Sequence, residues 1–215
     1  MINYCNIIKL NTNIQPKTIL EIGSRDGNDA LILKSYFNIN DRDVYVVEPS
    51  PNQQQYISNN HPNFNLIKNA IFNKIGKLKF NAVKQTDLVG VSSLLDRNDG
   101  LYSKVDSDLI EVDVITGDKL LSIIDKEIDL CKIDVEGVTY EVIESFLEKI
   151  NKIKSFHIES EHKQVWVNQM LYDDIKILLE SKGYEQIYFE YVNGIQLQSD
   201  SIWIDKKYIK KIDDK

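Results

Sequence analysis

Only two cysteines, Cys5 and Cys131, occur in the 215 residues, so a disulfide framework cannot hold this chain together. Both suit a reducing compartment, and Cys131 sits in an apolar run as a small core residue does. No apolar stretch is long enough to cross a bilayer. Asn3, Asn6 and Lys9 interrupt any signal-peptide core, so the expected location is cytoplasmic, with no membrane partner. Positive charge is in deficit: 26 Lys and Arg face 33 Asp and Glu, a net charge of −7. That disfavours a general grip on nucleic acid. Two phosphate-binding glycine motifs are absent as well. No Gly-x-Gly-x-x-Gly follows a strand-like segment, which argues against a nicotinamide dinucleotide, and no P-loop sequence exists. Internal repeats, long linkers and low-complexity blocks are also lacking.

What is present is ordinary for a globular chain, with 42% hydrophobic and 27% charged residues. The length suits one domain spanning residues 1–215. The most informative stretch is Ile19-Leu-Glu-Ile-Gly-Ser-Arg-Asp-Gly-Asn28. It reads as a short strand entering a turn with two glycines, followed by a helix. Glu21 stands where a dinucleotide site has its first glycine. A Glu-x-Gly-x-x-x-Gly turn points instead to S-adenosylmethionine, which has no pyrophosphate to cradle.

Strand-like and helix-like segments alternate along the chain. Strands are expected at Thr18–Ile22, Asp43–Glu48, Phe64–Lys68, Lys77–Val83, Leu109–Val114, Glu127–Val135 and Ile153–Glu159. Helices are expected over Asn28–Phe37, with Ala30, Leu31, Leu33 and Tyr36 facing the sheet, from Pro51 with Ser50 as N-cap, over Thr139–Ile150, and over Leu171–Ser181. Tyr184–Val192 and Ser201–Asp205 read as a terminal antiparallel pair joined near Asn193-Gly194. The pattern predicts an α/β fold with a mostly parallel sheet, helices on both faces and an antiparallel C-terminal hairpin. Asp87–Asp108 lacks periodicity and is the candidate substrate loop; Lys206–Lys215 reads as a solvated tail.

Ligands of an open parallel sheet bind at the carboxyl ends of its strands. After the first strand, Glu21 or Asp26 can pair with an ammonium group, and Arg25 and the turn amides can meet a carboxylate. Glu48 ends the second strand, where a carboxylate can accept both hydroxyls of a ribose. Asn69 and Ala70 follow the third and can flank an adenine. Lys132, Asp134 and Glu136 converge after the most buried-looking strand, the kind of cluster in which pKa values are tuned. His157, Glu159 and Glu161 share one face of the next strand. His162 lies just past its end, where it can take a proton. His157 reads as structural, and His61 is given no role.

These segments together resemble the FkbM-type methyltransferases. The carriers are Ile19–Gly27, Val44-Tyr-Val-Val-Glu-Pro-Ser50, Asn69-Ala-Ile71, the serine-rich Val91–Leu95 and, most specifically, Leu130-Cys-Lys-Ile-Asp-Val-Glu-Gly137. The resemblance spans Thr18 to Asp205 and implies the Rossmann-like class I methyltransferase fold, an α/β three-layer sandwich with a mostly parallel seven-stranded sheet and an antiparallel C-terminal hairpin, with S-adenosylmethionine as cofactor. It implies cofactor contacts from Glu21, Gly23, Ser24, Gly27, Glu48, Pro49, Asn69, Ala70 and Asp134. Asp134, His162 and Glu159 are the expected catalytic residues, and Ser92, Ser93 and Glu136 the expected acceptor contacts. The implied reaction is O-methylation of a hydroxyl on a small-molecule or glycan acceptor, a sugar or glycan first and a complex natural product besides. An RNA cap or ribose methyltransferase and an inactive cofactor-binding scaffold are the alternatives. Mg²⁺ held by Asp134 and Glu159 is an option that no spacing motif supports. Arg25 departs from the family, which more often has a small residue or Asn there.

Overall fold

In the computed structural model, residues 1–84, 89–98, 105–194 and 196–211 are described. The strands are β1 (Ile19–Ile22), β2 (Val44–Val47), β3 (Asn65–Ile67), β4 (Ala70–Ile71), β5 (Gly76–Val83), β6 (Ser107–Ile115), β7 (Leu130–Ile133), β8 (Ser155–Glu161), β9 (Tyr184–Tyr191) and β10 (Gln198–Asp205). The helices are α1 (Ile2–Asn11), α2 (Asn28–Phe37), α3 (Pro51–Asn60), α4 (Gly117–Ile124), α5 (Thr139–Glu144) and α6 (Tyr172–Ser181).

The main sheet has seven strands in the order β3-β2-β1-β7-β8-β10-β9. Its first five are parallel, and β10 runs antiparallel to both β8 and β9. The order reverses between β1 and β7, which creates the ligand crevice of this architecture. Strands β1 and β7 are buried along their whole length, as strands covered on both faces must be. On one face Tyr4, Ile8, Ala30, Leu33 and Ile57 of α1, α2 and α3 pack together. On the other, Leu120, Leu121, Val142, Ile143, Ile175 and Leu179 of α4, α5 and α6 do so. Burying one such side chain contributes roughly 1.5–3 kcal/mol. The predicted three layers and hairpin are present.

A second, three-stranded sheet, β4-β6-β5, stands apart with its own small core of Ala70, Phe80, Val112 and Val114. Its pattern was legible as two half-exposed strands, but not its separation from the main sheet. In α2, Ala30 and Leu33 are buried, whereas Leu31 and Tyr36 are more than a third exposed. One stripe of a ten-residue helix is enough to cover β1 and β2.

The expected helix over Thr139–Ile150 ends at Glu144. Ser145 diverts the chain: its hydroxyl donates to the Val142 carbonyl and accepts the Gly117 N–H that opens α4. Leu147 then adopts a left-handed φ of 50°, and a 3₁₀ turn follows over Leu147–Lys152. Helices α1 and α4 were not anticipated. Residues Lys206–Lys211 are docked rather than free, because Ile209 bridges to Thr12 and the Lys210 N–H donates to the Asn11 carbonyl. Residues 212–215 of the expected tail, and 87, 88 and 99–104 of the expected substrate loop, lie outside the described residues. Among the described residues no helix is long and apolar enough to cross a membrane.

Candidate active site

Gly23 lets the end of β1 touch the end of β7. A Cβ there would lie 1.9 Å from the Asp134 carbonyl oxygen, and φ is +78°. Gly27 closes the same turn in a left-handed conformation, with the His61 ring lying where a side chain would go. His61 therefore packs on the turn, a contact that nothing in the local sequence announces. Arg25 is also left-handed, at φ 52°, and its guanidinium pairs with Asp26 at 3.2 Å.

This turn borders a cavity of about 350 Å³. Apolar walls come from Val47, Ile71 and Phe80, and polar groups from Glu48, Asn69 and Asp134. Pro49, Ala70, Ser92, Ser93 and Glu136 line it as well. Glu48 is 5% exposed. Its Oε2 accepts the Arg25 N–H at 2.9 Å and its Oε1 the Ser50 N–H at 2.7 Å. Burial pushes its pKa up to about 7 against the pull of these two hydrogen bonds. The Ser93 hydroxyl donates to the Glu136 carbonyl at 2.7 Å and accepts the Leu95 N–H, and the Ser92 hydroxyl accepts the Val83 N–H. Both serines thus tie the strap 92–95 down beside the cavity.

A second cleft borders the same turn, lined by Glu21, Asp26, Asp29, Lys132 and Glu159, and shares Gly23, Arg25, Gly90, Asp134 and Glu136 with the cavity. Glu21 is 2% exposed. Its Oε2 accepts both the Ser24 hydroxyl and the Ala30 N–H, each at 3.1 Å. The carboxylate sits at the positive end of α2. Burial nevertheless raises its pKa to about 8, with Lys132 opposing and Asp29 adding to the rise.

Lys132 is 7% exposed and forms ion pairs with Asp29 and, at 2.8 Å, with Asp134. Burial works against its charge, but Asp134, Asp29 and Glu21 outweigh burial and hold its pKa above the usual lysine value. Burial also raises Glu159 to about 8, reinforced by Asp134 and Asp200. It raises Glu161 to about 7, and lifts Glu136 above the ordinary carboxylate range with help from Glu161 and Glu159. Gln198 of β10 donates to Glu159 at 3.0 Å. Asp29 and Gln198 were not foreseen as parts of this network. Asp29 is legible only as an acidic residue in a first helical turn, and Gln198 arrives through the register of β10 on β8.

His157 is held in a structural setting, as expected, whereas His162 lies away from the site. His157 pairs with Asp200 at 3.3 Å and stacks on Tyr4. His162 lines neither cavity nor cleft. Its ring packs among Tyr172, Phe189 and Tyr191, and its Nε2 lies 2.9 Å from the Ser199 hydroxyl. Burial lowers its pKa. Among the described residues no group of three or more His, Cys, Asp or Glu side chains is disposed to hold a metal ion.

A parallel sheet with this strand order, a crevice at its reversal point and a terminal antiparallel hairpin defines the class I methyltransferase fold. The chain belongs to the methyltransferase FkbM domain family, whose model matches residues 21–185. The FkbM methyltransferase of Methylobacillus flagellatus is similar in structure, with a TM-score of 0.57 and 14% identity over 88% of this chain. The chain spans 44% of that protein's length. TrmK of M. capricolum, solved with S-adenosyl-homocysteine, matches with a TM-score of 0.53 and 13% identity over 100% of this chain and 72% of its own. Sp1610 of Streptococcus pneumoniae, solved with S-adenosyl-L-methionine, matches with a TM-score of 0.50 and 11% identity over 95% of this chain and 72% of its own. No curated protein matches the sequence.

Proposed function

We propose that this protein is an S-adenosylmethionine-dependent O-methyltransferase acting on a hydroxyl of a sugar or glycan. The observation that carries the reading is the meeting of an apolar cavity and an acidic cleft at Asp134. The cavity is in the size range that small ligands fill. Glu48 fits a ribose at its wall, because each carboxylate oxygen holds one backbone N–H and keeps a lone pair for a hydroxyl. Glu21 fits an ammonium group, since among the described residues its Oε1 has no hydrogen-bond partner. When bound, the cofactor supplies a methyl group activated by a sulfonium.

The chain's own task is to hold an acceptor hydroxyl and take its proton. Asp134 is the proposed base, anchored by Lys132. Glu159 lies beside it electrostatically, with a pKa near 8 that suits passing a proton on at neutral pH. His162 has no part in this scheme, given its separate location.

The tRNA methyltransferase described for Sp1610 makes RNA a second reading. It is weaker here, because the cleft sets Lys132 and Arg25 against six carboxylates, Glu21, Asp26, Asp29, Asp134, Glu136 and Glu159. The test is transfer of a labelled methyl group to a panel of sugars, nucleotide-sugars, short glycans and capped RNA. Label in a glycan hydroxyl supports the proposal, label in RNA alone replaces it, and cofactor binding without transfer to any acceptor supports the scaffold reading.

A further inference from the structure

His162 marks a third concavity, one that the proposed transfer reaction does not use. Four rings meet there. His162 lies 4.7 Å from Tyr172, 5.1 Å from Tyr191 and 5.7 Å from Phe189, centroid to centroid. Tyr172 and Phe189 meet edge to face at 5.2 Å, and Phe189 and Tyr191 at 4.9 Å. The rings are supplied by the end of β8, the start of α6 and the edge strand β9, and they border an open hollow of about 520 Å³. Phe189 is 37% exposed although it is an apolar side chain in a strand.

The spacing decides what kind of ligand fits. Rings in contact with one another leave no gap for a cation to be surrounded, so this is not an aromatic cage. A ligand must lie across the ring edges and faces. Polar groups stand around them. The Tyr172 hydroxyl is engaged with Gln186 at 2.8 Å, while among the described residues the Tyr191 hydroxyl and the Asp173 carboxylate have no hydrogen-bond or ion-pair partner. Among the described residues no Lys or Arg lines the hollow, and Asp173 repels anions. Phosphate-bearing and acidic ligands are thereby disfavoured. A ligand with an apolar face, hydroxyl groups and no charge matches both halves of the surface.

The location links this surface to the acceptor cleft. His162 follows Glu161 directly, and its N–H continues the ladder to the Leu197 carbonyl. Tyr191 pairs with Ser199, which pairs with Ser160 of β8. Two strand spacings, about 10 Å, separate Tyr191 from β8. The rings and the cleft thus sit at the same carboxyl end of the sheet, the rings on the face covered by α6 and Glu159 on the face covered by α1, so a ligand that reaches both must cross the strand ends.

We propose that Phe189, Tyr191, Tyr172 and His162 form a stacking platform for a neutral oligosaccharide, which holds the distal sugars of the acceptor. The inference rests on the glycan reading of the active site and gives that acceptor a class: uncharged and longer than a monosaccharide. Binding at the platform needs neither cofactor nor transfer, so the two readings fail separately.

The test is calorimetric titration of the full chain with neutral gluco-, manno-, galacto- and xylo-hexaoses, with a uronic-acid hexasaccharide and with an oligouridine. At least one neutral hexaose should bind. Tyr191→Ala, and Phe189→Ala with Tyr191→Ala, should weaken it at least about tenfold, or about 1.4 kcal/mol. Affinity for S-adenosyl-homocysteine should stay unchanged in both variants, which also reports that they fold. Binding of only the charged oligomers, binding indifferent to both variants, or no binding of any neutral hexaose would overturn the platform. None of those results bears on whether the cavity takes the cofactor.

Discussion

Glu21 on β1 and Lys132 on β7 are register partners, side by side at the centre of the sheet where every other residue of the two strands is apolar. Lys132 is shared: it also pairs with Asp29 and Asp134. One buried cation thus faces several carboxylates, and burial is the main cause that raises the pKa of the acids around the site, with neighbouring carboxylates adding to it at Glu21, Glu159 and Glu161. Glu21 and Glu159 have pKa values of about 8, and Glu48 and Glu161 of about 7.

Stability should therefore fall as pH rises. Each of these acids holds its proton more tightly when folded than when unfolded, where the usual value is about 4.3. Between about pH 4.5 and pH 8 the unfolded chain binds fewer protons, so the ligand-free protein becomes less stable across that window and levels off above it. Urea unfolding at pH 5.5, 7 and 8.5 should show this decline, and Glu21→Gln should flatten it. A flat profile, or one that rises, contradicts the assignment of raised pKa values.

Gly23→Ala tests the close approach that builds the site. Gly183 has a similar φ of +88° but nothing within 4 Å of an added Cβ, so Gly183→Ala isolates the backbone strain, about 1–2 kcal/mol. Gly23→Ala adds a clash with the Asp134 carbonyl and should destabilise by clearly more. Equal melting temperatures for the two variants would mean that the β1 and β7 ends are not in contact.

Much of this was legible. The glycine turn, Glu48 at the end of β2 and the Lys132–Gly137 segment could each be read, because each lies within a few residues of a strand with an unambiguous apolar pattern. The mostly parallel sheet with helices on both faces followed from the alternation of elements, but the assignment of Lys77–Val83 and Leu109–Val114 to a separate sheet did not. What sequence could not give depends on register and on distant contacts. Gln198 reaches Glu159 only because β10 folds back on β8. His162 looked available because it follows a core strand, yet its ring turns to Tyr172 and β9, which are remote in sequence. Helix α4 was missed although Thr116 caps it through the Lys119 N–H, a signal that was readable.

Glu48→Gln should separate the cavity from the fold. The amide cannot accept both the Arg25 and Ser50 N–H groups as the carboxylate does. Melting temperature should fall modestly, and the Kd for S-adenosyl-homocysteine should rise at least about tenfold, or about 1.4 kcal/mol. An unchanged Kd removes Glu48 from the cofactor site.

Asp134→Asn should keep the fold and bind cofactor, yet lose turnover by about 10²–10⁴-fold once an acceptor is known. Single-turnover transfer with labelled cofactor measures it. Wild-type turnover in that variant eliminates Asp134 as the base.

The central claim is that the cavity between the ends of β1 and β2 receives S-adenosylmethionine. Calorimetric titration with S-adenosyl-homocysteine, paired with thermal unfolding at saturation, tests it most directly. One site per chain and a stabilisation of about 2.7 kcal/mol at 100 times Kd are expected. No heat of binding and no shift in unfolding at saturating ligand would contradict it.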